Sequence, residues 1–241
     1  GVEVADLPEP RNFIDTAVFN KLKLLGMPPS EACDDQTFIR RVTIDIAGRL
    51  PTAEEAEAFA GDGAEARRDR AIERLLESGS YADYFTNKWA ALLRNKKSKA
   101  TYELGTFSFH DWLREMIHTN APYDQIVRNV VAASGDLRSN PGVVWYRSVN
   151  KTEQQVEDSA QLFLGMRIQC ARCHHHPFER WSQKDYYSYQ AFFSRVGRKK
   201  NPDGLADADR IFHNRGKASA KNPRSGETLS PAGLGGKPLD L

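Results

Sequence analysis

Apolar residues recur every three or four positions through most of the chain, the spacing that lines one face of a helix. Phe13, Ile14, Val18, Phe19 and Leu22 predict a first helix, stopped by Pro28 and Pro29. Asp34 and Asp35 precede a second stripe of Phe38, Ile39, Val42 and Ile46 that ends near Gly48 and Pro51. Thr52 with Glu55 reads as a capping box opening a short helix through Ala56 and Phe59. Four more stripes follow, at Ile72, Leu75 and Leu76, at Phe85, Trp89, Leu92 and Leu93, at Trp112, Leu113, Met116 and Ile117, and at Ile126, Val127, Val130 and Val131. Pro141 and Gly142 interrupt the rhythm, and Val143–Tyr146 is the one run whose composition predicts an extended segment. Thr152 with Gln155 predicts the cap of a further helix bearing Val156, Ala160, Phe163 and Leu164, and Ser182 with Asp185 the cap of another bearing Tyr186, Tyr189 and Phe193. The expected fold is all-α, an irregular multi-helix domain with a loop-rich C-terminal tail.

That tail, residues 197–241, holds seven Gly and four Pro but a single aromatic, Phe212. Too poor in apolar bulk to build its own core, it is expected to drape over the body or link onward. A length of 241 residues at about 150 per domain points to one compact domain with appendages. Apolar residues at 40% supply a core. Lys and Arg number 34 against 32 Asp and Glu, a balance that excludes a dedicated nucleic-acid binder. No run approaches the roughly 18 apolar residues of a membrane helix, so no membrane span is expected in this segment. The chain opens Gly-Val-Glu-Val-Ala-Asp, without a methionine or a basic, apolar leader, which suggests an excised piece of a longer or processed protein.

One motif carries chemistry: Cys170-Ala-Arg-Cys173-His174, followed by His175, His176 and Pro177. Three Cys and six His among 241 residues would produce such a C-x-x-C-H by chance only about 0.0009 times. Two thiols at this spacing can each form a thioether to a vinyl group of haem, and the adjacent imidazole then ligates the iron. The same residues allow two other readings: a zinc or non-haem iron ion held by Cys170, Cys173, His174 or His176 and one remote ligand, and a disulfide that staples a loop of a binding or scaffold module. Neighbouring side chains diverge along an extended segment, so His174 and His176 form the better metal pair. No second C-x-x-C exists, and Cys33 stands alone at a loop-to-helix junction. Nucleophile elbow, phosphate loop and H-E-x-x-H are all absent.

The run Gln161-Leu-Phe-Leu-Gly-Met-Arg-Ile-Gln-Cys170-Ala-Arg-Cys-His-His-His-Pro-Phe-Glu-Arg-Trp181, with Asp185-Tyr-Tyr and Ala191-Phe-Phe193 after it, resembles the planctomycete cytochrome-c-like domain of unknown function that precedes a second uncharacterised planctomycete domain. Ile39-Arg-Arg-Val-Thr-Ile-Asp45-Ile-Ala-Gly48-Arg-Leu-Pro51-Thr-Ala-Glu-Glu55, Trp112-Leu-Arg and Pro122-Tyr-Asp124 share the resemblance in the family's order. It implies a helical cytochrome-like domain over residues 10–196 and a Gly/Pro-rich tail or linker, 197–241, toward a downstream domain. It further implies a periplasmic or cell-surface location within a larger exported protein, with a redox partner protein or a cytochrome domain of the same chain as partner. Other members place Asp where this chain has His175, so the family pattern singles out His174 and His176.

The expected function is therefore a haem c-binding redox or electron-transfer module, with haem c attached covalently through Cys170 and Cys173 and ligated by His174. His176 is expected beside the haem edge as a hydrogen-bond donor or proton carrier. For a distal ligand the chain offers Met116, Met166, His110, His118 and His213, each better explained by packing or by a surface position, so an open or labile distal side is expected. The basic groups Lys96, Lys97, Lys99 and Arg195, Arg198, Lys199, Lys200 read as solvated surface.

Overall fold

The computed structural model describes residues 7–200 and 209–241; the opening six residues and part of the tail lie outside the described residues. The chain separates into two compact units, residues 1–45 with 49–73, and residues 46–48 with 74–241. As expected, the fold is helical, with short antiparallel strand pairs confined to the C-terminal part. No described helix is long and apolar enough to cross a membrane.

The first unit contains α1 (Phe13–Leu25), most of α2 (Asp35–Ala47), α3 (Ala53–Gly61) and most of α4 (Arg67–Leu76). Asn12 caps α1 and Gly26, at φ 63°, ends it two residues before the prolines. Thr52 and Glu55 form the expected capping box on α3. Ile39, Phe59 and Ala71 make a small core in which the Phe38 and Phe59 rings stack at 5.8 Å. Asp35 binds both Arg67 and Arg68, and the Arg68 guanidinium beside it holds its carboxyl below the ordinary range.

The second unit is built on α5 (Gly79–Leu92) and α6 (Glu103–His118), whose Phe109, Leu113 and Ile117 sit one turn apart on a fully covered face. Helix α7 (Tyr123–Val131) adds Val130. The segment expected to be extended is instead helical: a 3-10 turn over Pro141–Val144 runs into α8 (Trp145–Ser148). Pro141 presets the helical φ, the Asn140 side chain caps the Gly142 N–H, and complete burial of Val143, Val144, Trp145 and Tyr146 overrides their strand preference. Helix α9 (Thr152–Leu164) is capped one position earlier than expected: the Gln154 side chain accepts from the Lys151 N–H, while Gln155 is buried and donates to the Val149 carbonyl.

A second core joins Val156 and Ala160 of α9 to Ile168, Ala171, Trp181 and the tyrosines of α10 (Gln183–Gln190), which starts with the expected Ser182–Asp185 capping box. Strand β1 (Val196–Lys199) pairs with β2 (Arg210–His213), Val196 opposite His213, and β3 (Ala220–Lys221) pairs with β4 (Thr228–Leu229). The tail sends Ile211 into the first core and Leu229 into the second, and Val196 packs against both.

Candidate functional site

The motif occupies the connection between α9 and α10. Gly165, at φ 68°, ends α9, and the chain then makes a 3-10 turn over Gln169–Arg172. Ile168 and Ala171 point into the second core, while Cys170 and Cys173 remain exposed free thiols on its outer side. Backbone bonds from the Cys173 and His174 N–H groups to the Cys170 carbonyl, both 3.2 Å, close the turn. Two side chains of α10, Gln183 and Tyr187, one helical turn apart, each donate to the Arg172 carbonyl at 3.1 Å. Arg172 pairs with Glu157 at 3.5 Å, and Glu157 accepts from the Tyr186 hydroxyl at 3.2 Å. The Cys173 sulfur first, and then Glu157, hold the Arg172 guanidinium above its ordinary range. Burial first, and then Glu157, push the Tyr186 hydroxyl up, so it stays a neutral donor.

The two histidines that the sequence singles out are set up oppositely. His174 Nδ1 lies 2.6 Å from the His175 carbonyl oxygen. A carbonyl only accepts, so Nδ1 carries a proton, and in the neutral ring Nε2 then keeps its lone pair, the tautomer of an imidazole ready for a metal. His176 Nδ1 receives the N–H groups of Phe178 and Glu179, at 3.3 and 3.0 Å, so the proton of the neutral ring sits on Nε2. The His176 N–H in turn donates to the Trp181 carbonyl at 2.8 Å, and Trp181 donates its indole N–H to Glu179 at 2.9 Å. Residues 176–181 thus form a closed loop with His176 as its internal cap and Phe178, 92% exposed, on the outside.

Among the described residues no three His, Cys, Asp or Glu side chains are grouped closely enough to hold a metal ion. Of the distal candidates, Met166 packs in the second core, Met116 lines a cavity beside α5, His110 lies 3.4 Å from the Asn87 side chain, and His118 and His213 are exposed. Sequence reasoning missed Glu157 and Gln183. The i, i+4 relation of Gln183 to Tyr187, directly after the motif, was the available signal for the latter.

Residues 13–198 match the family PSCyt2, described as a protein of unknown function (DUF1549). The chain belongs to that family. No curated protein and no solved structure matches it. The PSCyt2 match spans both compact units and ends inside β1, taking in the whole motif and the α10 side chains that hold it.

In this PSCyt2 chain, His176→Ala removes the acceptor for two backbone N–H groups. The Phe178 and Glu179 amides are expected to exchange with solvent about fivefold faster or more, the equivalent of about one hydrogen bond of net stability. His176→Asn, whose side-chain oxygen can accept from the same turn, should recover most of the protection. Amide exchange followed by NMR reads both, and rates unchanged in the alanine variant would refute the capping role.

Proposed function

We propose that this chain is a haem c-carrying redox or electron-transfer module of a larger exported protein. The observation that carries the reading is the His174 imidazole, whose Nδ1–H is committed to the His175 carbonyl while Nε2 is left with its lone pair, next to two free, exposed thiols on one turn. These residues suit the group in donor chemistry: Cys170 and Cys173 would tether it and His174 would ligate its iron. When bound, haem supplies one-electron chemistry that no side chain here provides. The protein's part is to hold the turn. Tyr187 and Gln183 fix the Arg172 carbonyl, and the His175 carbonyl orients the ligand ring and raises its basicity.

The positions of Met116, lining a cavity beside α5, and Met166, packed in the second core, favour a distal side without a strong protein ligand. The oxidised protein, produced with haem-attachment machinery and exported, should show a Soret band, high-spin features and ready binding of cyanide. A low-spin spectrum indifferent to added ligand would overturn the open distal side. Colourless protein carrying zinc or iron would replace the haem reading by an ion site on the same cysteines and histidines.

A further inference from the structure

Away from the motif, the aromatic stripe of α5 borders a cavity. Tyr81, Phe85 and Trp89, one helical turn apart, share a half-enclosed space of about 140 Å³ with Met116 of α6, Asn120 and Tyr123. That is several times the roughly 30 Å³ share of one liquid water and close to the engineered apolar cavity of about 150 Å³ that accepts benzene. The rings are not stacked flat. Tyr81 and Phe85 meet at 42° and Trp89 and Tyr123 at 46°, with centroids 4.8 and 5.9 Å apart. Among the described residues no charged side chain lines the space.

We propose that this cavity binds the quaternary ammonium head of a small organic cation. Aromatic ring faces attract cations through their quadrupole. One lining ring, Phe85, already has a cation against it, Lys88 Nζ at 4.9 Å from its centroid, shared with the ring of Tyr84 outside the lining at 3.9 Å. The C-terminal end of α6 is the second attraction. Asn120, at φ 50°, closes it in a left-handed turn, with its N–H on the Ile117 carbonyl and that of Ala121 on the Met116 carbonyl. Met116, Ile117, Asn120 and Ala121 all border the cavity, so the negative end of a 16-residue helix lies at its wall. A primary ammonium would need hydrogen-bond acceptors for three N–H groups. A quaternary one needs none, which suits a lining made mostly of aromatic and aliphatic side chains.

Choline and its neutral isostere 3,3-dimethylbutan-1-ol, titrated into the full chain at constant ionic strength, separate charge recognition from apolar burial. Calorimetry gives the affinities, and the Trp89 indole and Tyr123 amide signals in NMR give the location. Choline is expected to bind at least about fivefold more tightly than the isostere. Tyr123→Leu keeps apolar bulk at a half-exposed position and removes a ring face. It should cut choline affinity about fivefold while leaving the isostere unaffected, with the thermal transition reporting an intact fold. Trp89→Leu gives a second reading of the same contrast. Equal affinity for the two compounds, or no perturbation at Trp89 and Tyr123 by choline, would overturn the proposal.

Discussion

Cys170→Ser combined with Cys173→Ser is expected to give a folded chain that retains no covalent haem. Both cysteines are exposed and outside any disulfide, so serine costs the core nothing there. The turn is held by buried Ile168 and Ala171 and by the two bonds to the Arg172 carbonyl, none of which uses a thiol. Thioether attachment, by contrast, needs the sulfur atoms themselves. A denaturing gel stained for haem, on protein exported in a host with the attachment machinery, should show a stained wild-type band, weaker bands for the single variants and none for the double variant. An unstained wild-type band after that maturation would remove the haem reading altogether, and a stained double variant would place the attachment elsewhere.

A large loss of stability from one added carbon is expected at Gly142→Ala. Gly142 is buried in the turn that precedes α8, and a Cβ there would stand 2.2 Å from the Asn129 carbonyl oxygen and 3.1 Å from its carbon. Both obstacles are backbone of α7, which cannot rotate aside as a side chain would. Either α7 retreats and uncovers Val130, or the turn loses the Asn140 cap on the Gly142 N–H at 3.0 Å. A loss of about 2–4 kcal/mol is expected, read as a lower urea midpoint with an unchanged slope. Gly233→Ala is the control, because its new carbon would meet nothing within 4 Å. Equal midpoints for the two variants would refute the clash.

Helices α2 through α7 were legible because each carries an apolar stripe at helical period, and the Thr52–Glu55 and Ser182–Asp185 boxes mark two starts directly. The error at Val143–Tyr146 has a physical source. Strand preference belongs to half-buried pleated surfaces, whereas these side chains are wholly buried behind a proline that starts a helical turn. The strands of the tail were illegible for another reason. They are two to four residues long, too short for a period-2 pattern to register, and β2 in addition depends on a distant partner through the bridge of Ile211 to Gly135. At the motif, the cysteines and His174 were readable from spacing. The opposite proton placement in His174 and His176 was not, since it depends on which backbone groups each ring meets after the loop has closed.

Val196 touches both cores of the second unit, and the Tyr146 hydroxyl, rooted in the first core, donates to the carbonyl of Val131, whose side chain packs on the second. With Ile211 and Leu229 inserted from one tail, the packing has no seam between the helical bundle and the turn that bears the cysteines. Subglobal opening of the kind that frees a loop in many proteins would here have to break contacts belonging to the bundle as well. The turn is thus braced by packing shared with a unit of about 170 residues and not by its own few bonds alone. Under the haem reading proposed above, a turn so braced would leave the iron's ligand little room to relax between oxidation states, the condition for transferring an electron with small reorganisation.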